Sequence, residues 1–132
     1  MRLRLVFIDN LAIVILASLL FIPFIGMVHL FDWDEINFAE AAREMILLDD
    51  YFRVHINFQP FWEKPPLFFW LQATCMHYFG INEFAARLPN ALVGIATLLV
   101  VYNFGRKYFD QTFGRLWALA FAGSILPHLY FK

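Results

Sequence analysis

The sequence has a single cysteine, Cys75, in 132 residues. That excludes an intramolecular disulfide framework and a zinc cluster built on thiolates. Charge is also scarce, since Asp, Glu, Lys and Arg make up 16% of the chain, where an ordinary soluble domain carries roughly 25%. Ten basic residues against eleven acidic ones leave a net charge of −1. With no basic run either, a nucleic-acid-binding role is excluded. Internal repeats and low-complexity segments are absent. What the chain has in abundance is apolar surface: 61% of it is hydrophobic, and 17 residues are Phe. A soluble fold of this length cannot hide that much, which rules out a soluble globular enzyme and a disordered chain alike. An integral membrane protein, or a piece of one, remains.

Residues 11–31 form a run of 21 without Asp, Glu, Lys or Arg. At about 1.5 Å per residue a helix of that length covers roughly 30 Å, one hydrocarbon core. A cleaved signal peptide would be shorter and would end in a small-x-small site. An uncleaved first span is therefore expected, with Pro23 and Gly26 bending its outer end. Uncharged runs at 88–105 and 116–131 predict two further spans, the last barely long enough to cross. Lys132 follows that run directly, which reads as a chain cut off within or just after a helix.

The apolar stretch 66–79 has the length of an interfacial segment. If it crossed the membrane, Arg106, Lys107 and Arg115 would lie opposite Arg2 and Arg4. If it lies flat, all five share one side, as the positive-inside rule prefers. The N-terminus and the 106–115 turn are thus expected in the cytoplasm, and 32–87 becomes one large extracytoplasmic loop holding nine of the eleven acidic residues. Ile36, Phe38, Ala41, Ala42, Met45 and Leu48 repeat at helical spacing there, with Asn37, Glu40 and Glu44 on another face. Such a helix beside a membrane lies in the interface plane. Asp32 and Asp34 are possible N-caps, with Glu35 at capping-box distance from Asp32. The aromatic residues that follow, Trp62 and Trp70 among them, favour the headgroup level. The fold class expected is an all-α integral membrane protein, with three transmembrane helices plus amphipathic juxtamembrane helices in the loop.

Two polar clusters could carry chemistry. Asp32-Trp33-Asp34-Glu35 stands where the first span leaves lipid, and its carboxylates could bind a cation or take a proton from an incoming hydroxyl. The plainer reading is a helix cap with solvated surface. In Glu63-Lys64-Pro65-Pro66 the prolines start a helix. A Glu and a Lys held beside that start could take a metal and a phosphate respectively. The plainer reading is a surface ion pair. His29, His55, His77 and His128 read as structural, Cys75 as a small buried hydrophobe, and Arg87 as an interfacial anchor for the second span. A catalytic role and a small non-catalytic membrane protein, binding a lipid phosphate or a partner, both remain open on these residues alone. No span carries an ionisable residue at its centre, which weakens a channel or transporter.

The order of motifs is more specific than any one of them. Residues 33–45, WDEINFAEAAREM, resemble the W-D-E-x-R-Y-A-E-x-A-R-E-M block of GT-C-fold glycosyltransferases that use polyprenyl-phosphate sugars. The relatives indicated are the lipid A aminoarabinose transferases and the bacterial cousins of protein O-mannosyltransferases. Glu63-Lys64-Pro65-Pro66-Leu67-Phe68-Phe69-Trp70-Leu71 resembles their E-K-P-P-L-x-Y-W-L. Residues 79–92, FGINEFAARLPNAL, resemble F-G-x-x-E-F-A-A-R-L-P-S-A-L. Gly105-Arg106-Lys107-Tyr108-Phe109 followed by Gly114 resembles G-R-x-L-F-G-x-x-x-G.

The resemblance implies that residues 1–132 are the N-terminal portion of one membrane domain, in a multi-pass bacterial inner-membrane enzyme. Such an enzyme moves a sugar from a polyprenyl-phosphate carrier to a lipid, glycan or protein acceptor on the outer face. It implies Asp34 as the catalytic carboxylate, Glu63 as a ligand to a divalent metal ion, and Lys64 as the donor-phosphate contact. Glu35 and Asn37 are possible supporting residues; Asn37 stands where many relatives carry Arg. Membrane lipids are the other expected partner. Relatives are several times longer, so the chain alone is expected to be inactive.

Overall fold

The computed structural model describes residues 2–31, 33–62 and 64–131, with side chains from residue 5 onward. It is mostly helical, as expected: α1 (Arg2–Phe21), α2 (Asp34–Leu48), α3 (Leu67–Phe79), α4 (Glu83–Tyr108), α5 (Gln111–Ala122) and α6 (Ile125–Phe131). An unforeseen antiparallel hairpin, β1 (His55–Ile56) with β2 (Gln59–Pro60), lies between α2 and α3. Two compact units are distinguished, Phe24–Pro89 on the one hand and Met1–Pro23 with Asn90–Lys132 on the other. Among the described residues one helix, α4, is long and apolar enough to cross a membrane, and α1 carries a shorter apolar stretch, Leu5–Phe21.

Two expected boundaries need correction. The first helix does not occupy 11–31; it begins at Arg2 and stops at Phe21. Ile22 still donates its N–H to the Ser18 carbonyl at 3.1 Å. Pro23 then has no N–H to give, and its ring disfavours a helical residue before it, so the chain turns there instead of bending. The run 116–131 is not one helix either. Asp110 caps α5 by accepting the Phe113 N–H at 2.8 Å, and α5 ends at Ala122. There the Ser124 hydroxyl donates to the Phe121 carbonyl at 2.9 Å, and α6 starts afresh at Ile125. Serine beside glycine offers the backbone a local alternative to the helical ladder. In contrast, α4 runs well past the expected 88–105 at both ends and accommodates Pro89 in its interior. The neighbouring Ala86 carbonyl accepts a hydrogen bond from the buried Gln72 amide at 2.8 Å.

The unit Met1–Pro23 with Asn90–Lys132 is held by two devices. One is a polar hub on α1. The Asp9 carboxylate accepts from the Tyr102 hydroxyl at 2.6 Å, the Gln111 amide at 2.7 Å, and Nε and Nη2 of Arg115 at 2.9 Å each. Beside it the Asn103 amide donates to Asn10 at 2.7 Å. The other is a close crossing of α4 and α5 at glycines. A Cβ on Gly105 would lie 2.9 Å from the Gly114 Cα, and one on Gly114 would lie 2.6 Å from the Tyr102 carbonyl oxygen. Small residues let two backbones touch in this way, and that is the physical content of the fourth sequence block.

In the unit Phe24–Pro89 the seam is built largely of alanine. Ala39 and Ala42 of α2, Ala73 and Met76 of α3, and Ala85 and Ala86 of α4 form one buried cluster. Ala41 and Met45 of α2 pack with Val54 and Phe69 in a second. Short side chains leave little rotamer entropy to lose and let the helix axes approach. The half-buried Cys75 packs against the first cluster, and burial pushes its thiol up, as expected of a small hydrophobe.

Candidate donor-phosphate and acceptor site

Asp34 is the first residue of α2 and is exposed, as is Asn37 one turn on. Asp34 and Glu35 supply the negative charge that a helix N-terminus favours. Neither Asp34 nor its neighbours make the expected cap: Trp33 occupies the cap position with φ 74° and no side-chain bond, and Asp32 lies outside the described residues. The Glu35 carboxylate instead reaches back beyond the cap to accept the Phe31 N–H at 2.6 Å.

Pro66 precedes α3 in an α conformation, as its place in the sequence predicts. Lys64, just upstream, is exposed. Its ammonium stands over the Phe38 ring, 5.8 Å from the centroid. Phe38 is one helical turn beyond Asp34 and so on the same side of α2. Its ring meets Phe68 and Phe69 of α3 edge-on at 5.7 and 5.4 Å. The structure therefore brings Lys64 to the N-terminal half of α2, where Asp34 is. Glu63 lies outside the described residues. Among the described residues no group of three or more His, Cys, Asp or Glu side chains could hold a metal ion. The described part of the site thus does not by itself make a metal centre. The histidines stay apart: His29 meets Glu83 at 3.3 Å on the surface, and His128 lies 2.9 Å from the Ala122 carbonyl.

Two side chains read differently in the structure. Glu44, expected on the polar face of α2, is fully buried. One of its oxygens accepts the Phe58 N–H at 3.0 Å, and the other has no partner among the described residues. The hairpin covers that face of α2, and no two-residue strand is visible as a periodicity. Glu44 supports a tight turn in which both Asn57 and Phe58 have positive φ, 54° and 58°. Arg87, expected as an interfacial anchor, is instead buried and paired with Glu35 at 2.6 Å. Glu35 is consequently committed to that pair and to the Phe31 amide.

Burial pushes the Glu35 carboxyl up, but the Arg87 hydrogen bonds, the Phe31 amide and the guanidinium charge outweigh it and hold the group below the usual glutamate range. A lowered folded-state value stabilises the fold at any pH above the unfolded value, about 4.3. That contribution is lost as pH falls through the lower, folded value. The protection of the Phe31 and Ile36 amides, exchange being taken relative to the intrinsic rate at each pH, is accordingly expected to fall on acidification below about pH 4.3. In Glu35→Gln protection should already be lower at neutral pH and flat across that window.

Residues 63–130 match the family model described as dolichyl-phosphate-mannose-protein mannosyltransferase. The chain belongs to this family of GT-C glycosyltransferases. It is 31% identical to an uncharacterised protein of Aquifex aeolicus over 113 residues, 85% of this chain and 27% of that one. It is 32% identical over 103 residues to the undecaprenyl phosphate-alpha-4-amino-4-deoxy-L-arabinose arabinosyl transferase of Pseudomonas savastanoi pv. phaseolicola, covering 76% of this chain and 18% of the relative. The fold is similar to ArnT from Cupriavidus metallidurans in the apo state, with a TM-score of 0.84 and 28% identity, over 91% of this chain and 22% of that one. It is also similar to the same protein bound to undecaprenyl phosphate, with a TM-score of 0.73 and 27% identity, over 85% and 23%. The chain thus spans about a quarter or less of the length of most of these relatives.

Proposed function

We propose that residues 1–132 are the N-terminal part of a membrane domain that transfers a sugar from a polyprenyl-phosphate donor to a lipid, glycan or protein acceptor. The observation that supports this most directly is the approach of Lys64 to α2 one turn from Asp34. In this reading Lys64 meets the donor phosphate as a point charge and stabilises the negative charge that develops on it as it leaves. Asp34 receives the acceptor's proton as the new bond to the anomeric carbon forms and the bond to the phosphate oxygen breaks. The polyprenyl tail stays in lipid, against exposed aromatic and aliphatic side chains such as Trp62 and Leu67. In the same proposal Glu63 would help hold a divalent metal ion, which would supply Lewis-acid stabilisation at the phosphate. The chain resides in the bacterial inner membrane with a cytoplasmic N-terminus, crosses it three times, and presents 32–87 to the outer side. That topology places all five of Arg2, Arg4, Arg106, Lys107 and Arg115 in the cytoplasm.

The test is binding of undecaprenyl phosphate to the full chain in nanodiscs, read by native mass spectrometry. Lys64→Ala is expected to weaken it about 30-fold, the equivalent of about 2 kcal/mol for a charge-assisted contact. Asp34→Asn should leave it unchanged. The unmodified chain, given a sugar-loaded donor, should bind without transfer. Binding indifferent to Lys64→Ala overturns the donor assignment, and sugar transfer by the purified chain overturns its expected inactivity.

A further inference from the structure

The third sequence block, with Arg87 near its centre, has no part in the chemistry above, yet its attachments lead back to Asp34. Arg87 is 6% exposed. Its Nε donates to Glu35 Oε1 at 2.6 Å and its Nη2 to Glu35 Oε2 at 3.0 Å. Its Nη1 donates to the carbonyls of Ile25 at 2.7 Å and Val28 at 2.6 Å, and its Nη2 to that of His29 at 3.0 Å. The guanidinium also stands 5.9 Å from the Phe31 ring centroid. One side chain therefore gathers the carbonyls of an irregular segment and clamps the first turn of α2 to them. Only a planar fork of five donors can do this; an ammonium can hold one or two of these acceptors.

The clamped segment needs holding. Phe24 and Trp33 have φ of 68° and 74°, a region costly for bulky side chains that persists only where the surroundings enforce it. Trp33 immediately precedes Asp34. We propose that Arg87 is a positioning residue for Asp34. Through its paired bonds to Glu35, and the bond from Glu35 to the Phe31 amide, it fixes the start of α2 relative to Phe31 and so the point in space from which the Asp34 carboxylate works. The proposal rests on Asp34 being the acceptor-side carboxylate of the reading above.

The test uses the full chain in nanodiscs labelled with 5-fluorotryptophan and carboxyl-13C aspartate. The fluorine spectrum carries one resonance for each of Trp33, Trp62, Trp70 and Trp117, and Asp34→Asn assigns the Asp34 carboxyl signal. Glu35→Gln and Arg87→Gln are each expected to shift the Trp33 and Asp34 resonances by more than a linewidth while the other three tryptophans stay in place. Arg87→Lys should fall between. Should Arg87→Gln disturb the whole spectrum, Glu35→Gln decides, because it leaves Arg87 on its three carbonyls. A shift confined to Trp33 and Asp34 supports the proposal. Unmoved Trp33 and Asp34 signals, or displacement of all four tryptophans by Glu35→Gln, overturn it. These spectra need neither donor nor turnover, so a failed functional reading shows separately, in undecaprenyl-phosphate binding by Lys64→Ala.

Discussion

Gly114→Val is expected to destabilise the α4–α5 crossing by about 3 kcal/mol, the upper part of the range for overpacking a tight contact. The first added carbon would sit 2.6 Å from the Tyr102 carbonyl oxygen and 2.9 Å from the Arg106 nitrogen. Both are backbone atoms of a continuous helix, so no flexible side chain can swing away to make room. The helices must separate, and Gly105, whose own Cβ would lie 2.9 Å from the Gly114 Cα, loses its contact at the same point. Gly123→Ala is the control. There the added carbon comes no nearer than 3.3 Å to the Leu119 carbonyl oxygen and 3.9 Å to that of Ala120, and φ is −81°, allowed for any residue, so a much smaller change is expected. Denaturant titration of helical circular dichroism in mixed micelles measures both.

Asp9→Ala is expected to cost about 2 kcal/mol in the same measurement, most of it from polar partners stranded by the loss. Tyr102 is fully buried, and its hydroxyl donates to Asp9. Without that acceptor it has no water to turn to. Gln111 loses its acceptor as well, whereas Arg115, about half exposed along its side chain, can turn to solvent. Asp9→Asn should recover part of the loss, because an amide oxygen can still accept from the tyrosine. Tyr102→Phe removes one donor and leaves Asp9 with its others, so it should cost less than Asp9→Ala. A result in the reverse order would mean that the hub acts through packing and not through its hydrogen bonds.

What the sequence disclosed divides along a physical line. Signals carried by contiguous stretches of sequence are legible: the prolines before α3, the helical spacing of 36–48, and the uncharged run 88–105 inside α4. Signals that depend on a distant partner are not. Glu44 has the periodicity of a surface residue, and only the hairpin from 55–60, whose strands are too short to leave a pattern, buries it. Arg87 has the flanks of an interfacial anchor, and its partners are 52 to 62 residues away along the chain. The ends of apolar runs misled for a related reason. Hydropathy continues through 22–31 and through Gly123 and Ser124, but the backbone does not, since proline and the glycine–serine pair act on hydrogen bonding and not on polarity. Of the site, the composition made Asp34 and Lys64 visible as clusters, and the motif resemblance gave them roles. Their approach across Phe38 could be had only from the packing of α2 on α3.

The polar hub has a consequence in time. Asp9 is 93 residues from Tyr102 and 106 from Arg115 along the chain. At about 5–20 residues per second a ribosome delivers those donors roughly 5–20 s after the carboxylate itself. Throughout that interval α1 exists with an acid and none of its partners, a group that hydrocarbon does not accept without neutralisation or water. In the proposed topology the nascent helix must therefore wait with Asp9 at the aqueous edge, and its final seat is set only when α5 emerges. A helix made later determines how deep the first one lies.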